Sequence, residues 1–142
     1  MSGFFIPVRE YTTTNVLTVQ RTASVGRVIK LMDEYDIRHV PVVKDDRAVG
    51  MVSDHEIRPL LKGADMENEM VGIYMNQDIL TIQENSRLVD VVYQLSDRKF
   101  DSAVVTNYHE EIVGIFTITD ALNALIDSLR GQIYEDPDSL IV

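Results

Sequence analysis

Apolar positions follow two rhythms along this chain, and the same succession of rhythms is written twice. Val25, Val28, Ile29 and Met32 fall at i, i+3, i+4 and i+7, and so do Leu88, Val91, Val92 and Leu95. That spacing gathers four apolar side chains on one face of a helix. Before each helix stands a short run, Leu17-Thr18-Val19-Gln20 and Leu80-Thr81-Ile82-Gln83. After each comes a stretch, Ile37 to Val43 and Phe100 to Thr106, whose valines read as a second strand. Turns at Lys44–Arg47 and Asn107–Glu111 lead to Val49-Gly50-Met51-Val52-Ser53 and Val113-Gly114-Ile115-Phe116-Thr117, a third strand. Closing helices start near Asp54 and Ile118, with apolar positions at Ile57, Leu60 and Leu61, and at Ala121, Ala124 and Leu125. Each half is predicted as strand, helix, strand, strand, helix.

The two halves keep a fixed distance. Val8-Arg9-Glu10-Tyr11 and Val71-Gly72-Ile73-Tyr74 stand at the same offset of 63 as the first strands, and one extra residue in the second turn then moves the offset to 64. A period of this kind means two copies of one supersecondary unit, neither able to bury its apolar face alone. A pair related by a pseudo-twofold leaves a cleft between its halves, where small ligands bind. Gly50 and Gly114 sit at matching strand positions. Each marks a close backbone approach, either of a ligand or of the other half. Tyr11 and Tyr74 match across the repeat and are expected to pack on the opposite copy.

Composition narrows the function. The 142 residues suit one compact body of two intimate halves, 8–61 and 71–130, with a linker at 62–70 expected as a loop or helical turn. The segment 131–142 reads as a frayed tail, the alternative being that Leu140-Ile141-Val142 docks on a partner. The absence of cysteine excludes disulfide and thiolate chemistry. No apolar run approaches the roughly 20 residues of a membrane span. Phe4-Phe5-Ile6, cut by Pro7, is too short for a signal peptide, so a cytoplasmic protein is expected. A formal net charge of −10 argues against sequence-independent nucleic-acid binding and against anionic membranes. His39, His55 and His109 share no metal-ligand spacing. No nucleophile elbow, zinc-protease motif or phosphate-binding glycine loop is present, so no catalytic residue and no metal site is expected.

The order of elements, the Arg38-His39-Val40-Pro41-Val42-Val43 strand and the twice-written Gly-apolar-apolar-Ser/Thr-x-x-Asp/Glu pattern resemble the cystathionine-β-synthase (CBS) domain, here as a tandem pair or Bateman module. The resemblance covers about Val8 to Leu125. It implies an α/β (α+β) fold of two β-α-β-β-α domains about a pseudo-twofold, commonly dimerised, with adenosine-containing ligands in the clefts. A stand-alone regulatory module is therefore expected, one that binds AMP, ADP, ATP or S-adenosylmethionine, requires no cofactor and modulates a protein the sequence does not reveal.

An acid at a helix start can accept hydrogen bonds from vicinal ribose hydroxyls, and a hydroxyl with free helix-start amides can meet phosphate. By the resemblance, each acidic motif shares its site with the other copy's first two strands. Thr117, Thr119 and Asp120 would join Thr18, Ile37, Arg38, His39 and Val40. Ser53, His55 and Glu56 would join Thr81, Phe100, Asp101, Ser102 and Ala103 in a second, weaker site. Ser/Thr-x-x-Glu is also the capping box of a helix start, which Ser53–Glu56 fits better than ribose binding. The sites should differ in charge, because Arg38 and His39 flank the first whereas Asp101 would repel a polyphosphate at the second. One nucleotide per chain, held mainly through Asp120, is the expectation. Arg38 reads equally as an exposed edge charge. Leu122, Ile126 and Leu129 extend the last helix's apolar stripe, covering either the other half or a second chain. The alternative function is a dimerisation or interaction module with vestigial clefts.

Overall fold

The computed structural model describes residues 5–62 and 65–134. The first half comprises β1 (Val19–Gln20), α1 (Val25–Tyr35), β2 (His39–Lys44), β3 (Arg47–Ser53) and α2 (Asp54–Ile57). The second comprises β4 (Leu80–Gln83), α3 (Leu88–Arg98), β5 (Ser102–Thr106), β6 (Ile112–Thr117) and α4 (Ile118–Tyr134). Each half forms a three-stranded sheet in sequence order, its first pair parallel and its second antiparallel. The predicted succession of elements is therefore present in both halves.

Three elements depart from the expected limits. Leu17 and Thr18 lie outside β1, whereas all four equivalent residues pair in β4. The helix α2 stops after Ile57 and passes into a 3-10 turn, Arg58–Leu60. Pro59 explains this: it lacks an N–H and its ring opposes the carbonyl four residues earlier. Asn123 holds the matching place in α4, which runs on through Gly131 to Tyr134, so the expected frayed tail begins inside a helix. Residues 135–142, Leu140-Ile141-Val142 included, lie outside the described residues. Within 62–70, a 3-10 turn forms at Met66–Asn68 and Met70 bridges to Ser24.

The halves are tied by a reciprocal exchange. The 3-10 turn Val8–Glu10 precedes the first half, yet Val8 and Tyr11 belong to the core of the second, with Leu80, Val91, Leu95 and Phe116. The turn Val71–Ile73 precedes the second half, yet Val71 and Tyr74 pack into the core of the first, with Val25, Val28, Val40 and Val52. Val8 and Val71 are both fully buried, a burial worth roughly 1.5–3 kcal/mol each. The bridges repeat at the same offset: Pro7 with Arg87 matches Met70 with Ser24, and Thr13 with Ile115 matches Asn76 with Met51. Tyr11 donates its hydroxyl to Asp127 on α4 at 2.7 Å, and that acceptor raises the phenol's pKa above its ordinary value. Each tyrosine thus packs on the opposite copy.

This exchange decides between the two roles of the strand glycines. A bulge precedes each of them, between Val42 and Val43 opposite Gly50 and between Val105 and Thr106 opposite Gly114. A Cβ on Gly114 would fall 2.5 Å from the Thr13 carbonyl oxygen and 2.5 Å from Thr12 Cγ2. One on Gly50 would fall 2.5 Å from Met75 Sδ and 3.2 Å from the Asn76 carbonyl oxygen. The close approach is that of the exchanged segment.

Candidate ligand clefts between the halves

The exchanged segments build two clefts from matching parts. The first has a volume of about 360 Å³. The irregular stretch after the first exchanged turn supplies Thr13, Asn15, Val16 and Leu17, and the α1–β2 connection supplies Asp36, Ile37, Arg38 and His39. The second half supplies Asp101, Ile115 and the start of α4, Thr117, Ile118 and Thr119. Leu17, outside β1, borders this opening, and its counterpart Leu80, inside β4 and 5% exposed, borders the second cleft. Apolar walls, several hydroxyls and a small number of charges in a few hundred Å³ are the usual makings of a small-molecule site.

The second cleft has a volume of only about 20 Å³, room for one or two waters. Asn76, Asp78, Ile79 and Leu80 take the places of Thr13 to Leu17, Phe100 that of Ile37, and Met51 that of Ile115. Larger side chains stand at two of these positions, Ile79 for Val16 and Phe100 for Ile37, and the others are close in size. Ser53, Glu56, Asp101 and Ser102 also line it. The Arg98 guanidinium lies 4.8 Å from the Phe100 ring centre, a cation–π arrangement over the filling group.

Sequence reasoning placed five residues on the first cleft that do line it: Ile37, Arg38, His39, Thr117 and Thr119. Three others are placed elsewhere. Val40 is fully buried in the first core, since strand alternation turns it away from the side His39 faces. Thr18 lies beyond Leu17 and off the cleft wall. Asp120 is 8% exposed and serves the helix start: its Oδ2 accepts the Thr117 N–H at 2.8 Å, and its own N–H reaches Thr117 Oγ1 at 3.4 Å. The reciprocal capping box therefore forms at Thr117–Asp120 rather than at Ser53–Glu56, where Ser53 Oγ accepts the Glu56 N–H at 3.2 Å and the Glu56 side chain borders the cleft. Asp120 also accepts from Thr13 Oγ1 at 3.2 and 3.4 Å and from Thr117 Oγ1 at 3.2 Å. It ties two cleft walls together from behind.

At the second cleft, Ser53, Glu56, Phe100, Asp101 and Ser102 line the space as expected. Thr81 and His55 are exposed and Ala103 is buried in the second core. The expected separation of charge is also altered. Asp101 borders both clefts, and its carboxylate stands 3.4 Å from His39 Nε2. That nitrogen is buried with no hydrogen-bond partner among the described residues. The Arg38 side chain, 76% exposed, leans on Asp54 at 3.9 Å, a pairing of small energetic value.

Sequence reasoning missed Thr13, Asn15, Val16, Leu17 and Asp36 at the first cleft, and Met51, Asn76, Asp78, Ile79 and Leu80 at the second. The available signal was the 63-residue offset itself: the polar stretches Thr13–Asn15 and Asn76–Asp78 occupy matching places between repeated elements. Among the described residues no three acidic or histidine side chains gather as metal ligands, and no helix is long and apolar enough to cross a membrane.

Two sheet-and-helix units that exchange their leading segments around two matching clefts define a paired module. The CBS domain family model matches residues 8–63 and again 68–127, and the chain belongs to that family as a tandem pair. It is 28% identical over 110 residues to the uncharacterized protein MJ1232 of Methanocaldococcus jannaschii, covering 78% of this chain and 36% of that protein. The chain spans 21% to 48% of the length of the first curated relatives it matches. Among solved structures, the CBS domain pair of protein MJ0100, in complex with 5′-methylthioadenosine and S-adenosyl-L-methionine, superposes with a TM-score of 0.77 at 18% identity, covering 87% of this chain and 98% of that one. CBSX2 in complex with AMP gives a TM-score of 0.74 at 22% identity, covering 87% and 99%. At these identities the likeness establishes the shared fold.

Proposed function

We propose that this chain is a regulatory module that binds one adenosine-containing ligand in its first cleft and modulates a partner protein. The carrying observation is the opening of about 360 Å³ at the junction of the halves. Its apolar wall of Val16, Ile37 and Ile115 suits an adenine ring, and Thr117 and Thr119 offer hydroxyls to a ribose. Asp120 keeps those groups in place. Its contacts with Thr13 Oγ1 are long, at 3.2 and 3.4 Å, and a ribose hydroxyl can replace them. His39 Nε2, buried and 3.4 Å from the Asp101 carboxylate without a hydrogen bond to it, is a polar group that a ligand can satisfy. AMP, ADP, ATP and S-adenosylmethionine are the candidates, and the neighbours solved with AMP or with S-adenosylmethionine support the class.

The same reading makes the chain a binding protein rather than an enzyme, in keeping with the regulatory character of CBS pairs. It also makes it a twofold dimer. Leu122, Ile126 and Leu129 do not cover the other half; with Ile118 and Leu125 they leave α4 with an apolar stripe 43–53% exposed. A second copy covering that stripe is the simplest closed arrangement.

Calorimetry of the intact chain with adenosine nucleotides tests the proposal. One equivalent bound per chain is expected, with competition between AMP and S-adenosylmethionine. A hundredfold excess over Kd should stabilise the fold by about 2.7 kcal/mol. Absence of binding to every adenosine compound would transfer support to the second reading, an interaction module with vestigial clefts, which the exposed α4 stripe favours.

A further inference from the structure

We infer that the first cleft selects against phosphate, so that its ligand carries an uncharged or cationic group at the adenosine 5′ position. The inference rests on the reading that the cleft takes an adenosine compound. Its ground is the balance of charge and of free donors around the opening.

Three groups on the cleft wall carry full charges, Asp36, Arg38 and Asp101, and the His39 imidazole stands 3.4 Å from the last of them. Arg38 is the sole cation among them, and it is mostly in solvent and shared with Asp54. The helix start would normally attract an anion through its unpaired amides and its partial positive charge. Here three amides at that helix start are engaged, and the Thr119 N–H is left to meet a ligand. Thr117 N–H goes to Asp120 Oδ2, Ile118 N–H to the Asp101 carbonyl oxygen at 3.1 Å, and Asp120 N–H to Thr117 Oγ1. The Asp120 carboxylate also sets a negative charge in the first turn, against the helix's positive end. A phosphate entering here meets two carboxylates on the wall and a third behind it, against one diluted guanidinium, the His39 imidazole and the Thr119 N–H.

Asp36 strengthens the argument. It ends α1 in the left-handed region at φ 51°, and α1 carries no basic residue in its last turn. A carboxylate at that pole adds to the helix's partial negative charge instead of offsetting it. The equivalent residue after α3 is Lys99, at φ 59°, following Arg98. The half that contributes this end of the open cleft therefore carries an acid where its repeat carries a base. A cationic or neutral 5′ substituent is favoured at such a mouth, and a chain of phosphates is repelled.

Calorimetry of the full chain at about 50 mM and about 300 mM salt, with adenosine, AMP, ATP, 5′-methylthioadenosine and S-adenosylmethionine, tests this selection. The expected order places the last two tightest and ATP weakest, with the spread narrowing as salt rises. Asp36→Asn and Asp101→Asn should each raise ATP affinity about three- to tenfold relative to that of 5′-methylthioadenosine in the same variant. Both substitutions keep the side-chain volume, and the Asp101 side chain is 60% exposed. ATP binding more tightly than AMP, or ATP affinity relative to 5′-methylthioadenosine unmoved in both variants, overturns charge selection and leaves the adenosine reading standing. Failure of adenosine and all four derivatives to bind overturns that reading and this inference with it.

Discussion

The two clefts are drawn from equivalent positions of one repeat, yet one holds about 360 Å³ and the other about 20 Å³. No change of backbone plan separates them. The first keeps Val16 and Ile37 where the second has Ile79 and Phe100, and the first strand on its side is two residues long instead of four. A glutamate reaches the second cleft where an aspartate withdraws from the first to cap its helix. One methylene and one aromatic ring are enough, because a close-packed interior has little free volume to share. A duplicated fold thus offers two sites, and side-chain size decides which stays open.

The comparison can be broken at its hinges. Gly114→Ala carries the largest expected effect. The new Cβ meets backbone at Thr13, so the wall of the open cleft must shift, at a cost near the upper end of the 1–3 kcal/mol range for overpacking. Gly50→Ala meets first the flexible end of Met75 and should cost distinctly less. Urea midpoints of the two variants check the order, and equal losses would show that the exchanged segments are held alike on both sides.

Removing the two acids sharpens the contrast next. Asp120→Ala leaves the Thr117 N–H and two hydroxyls without their acceptor and should cost about 1–3 kcal/mol, with ligand affinity falling as Thr13 and Thr117 lose alignment. Glu56→Ala should cost under about 1 kcal/mol, since Ser53 still caps α2. Thermal melts with and without ligand separate the two. Phe100→Ile gives the closed cleft the residue of the open one. A stability loss below about 1.5 kcal/mol is expected, with a gain in accessible volume that a second, weaker binding equivalent in calorimetry would report.

The smallest effect belongs to the exchange contact on α4. Tyr11 keeps its proton to a higher pH than an ordinary phenol because Asp127 accepts it. The stability from that bond is present below about pH 10, the unfolded value, and is lost as pH rises through the raised folded value. Tyr11→Phe should cost under about 1 kcal/mol at neutral pH and flatten that alkaline loss, as followed by chemical denaturation across pH.

Much of this architecture was legible without coordinates. Val25 to Met32 and Leu88 to Leu95 announced their helices by spacing, and the 63-residue offset announced the duplication, because both are local or periodic records of burial. Gly50 and Gly114 were legible as points of close approach but not as to what approaches. Asp120 was legible in the same partial way: Thr-x-x-Asp is compatible with both a cap and a ligand contact, and the coordinates show the cap, with Thr13, 107 residues earlier, reaching the same carboxylate.

The expected meeting of Thr117 and Thr119 with Ile37–His39 came from the resemblance to CBS pairs; by itself the sequence determined the two β-α-β-β-α units and their pairing. Periodicity in one dimension suffices for that, since each unit must cover the other's apolar face. The tertiary structure alone decided that the leading segments change places, that Asp101 borders both clefts, and that one cleft is filled. Those outcomes depend on side chains from distant segments converging within a few tenths of an ångström, and no spacing along the chain records that distance.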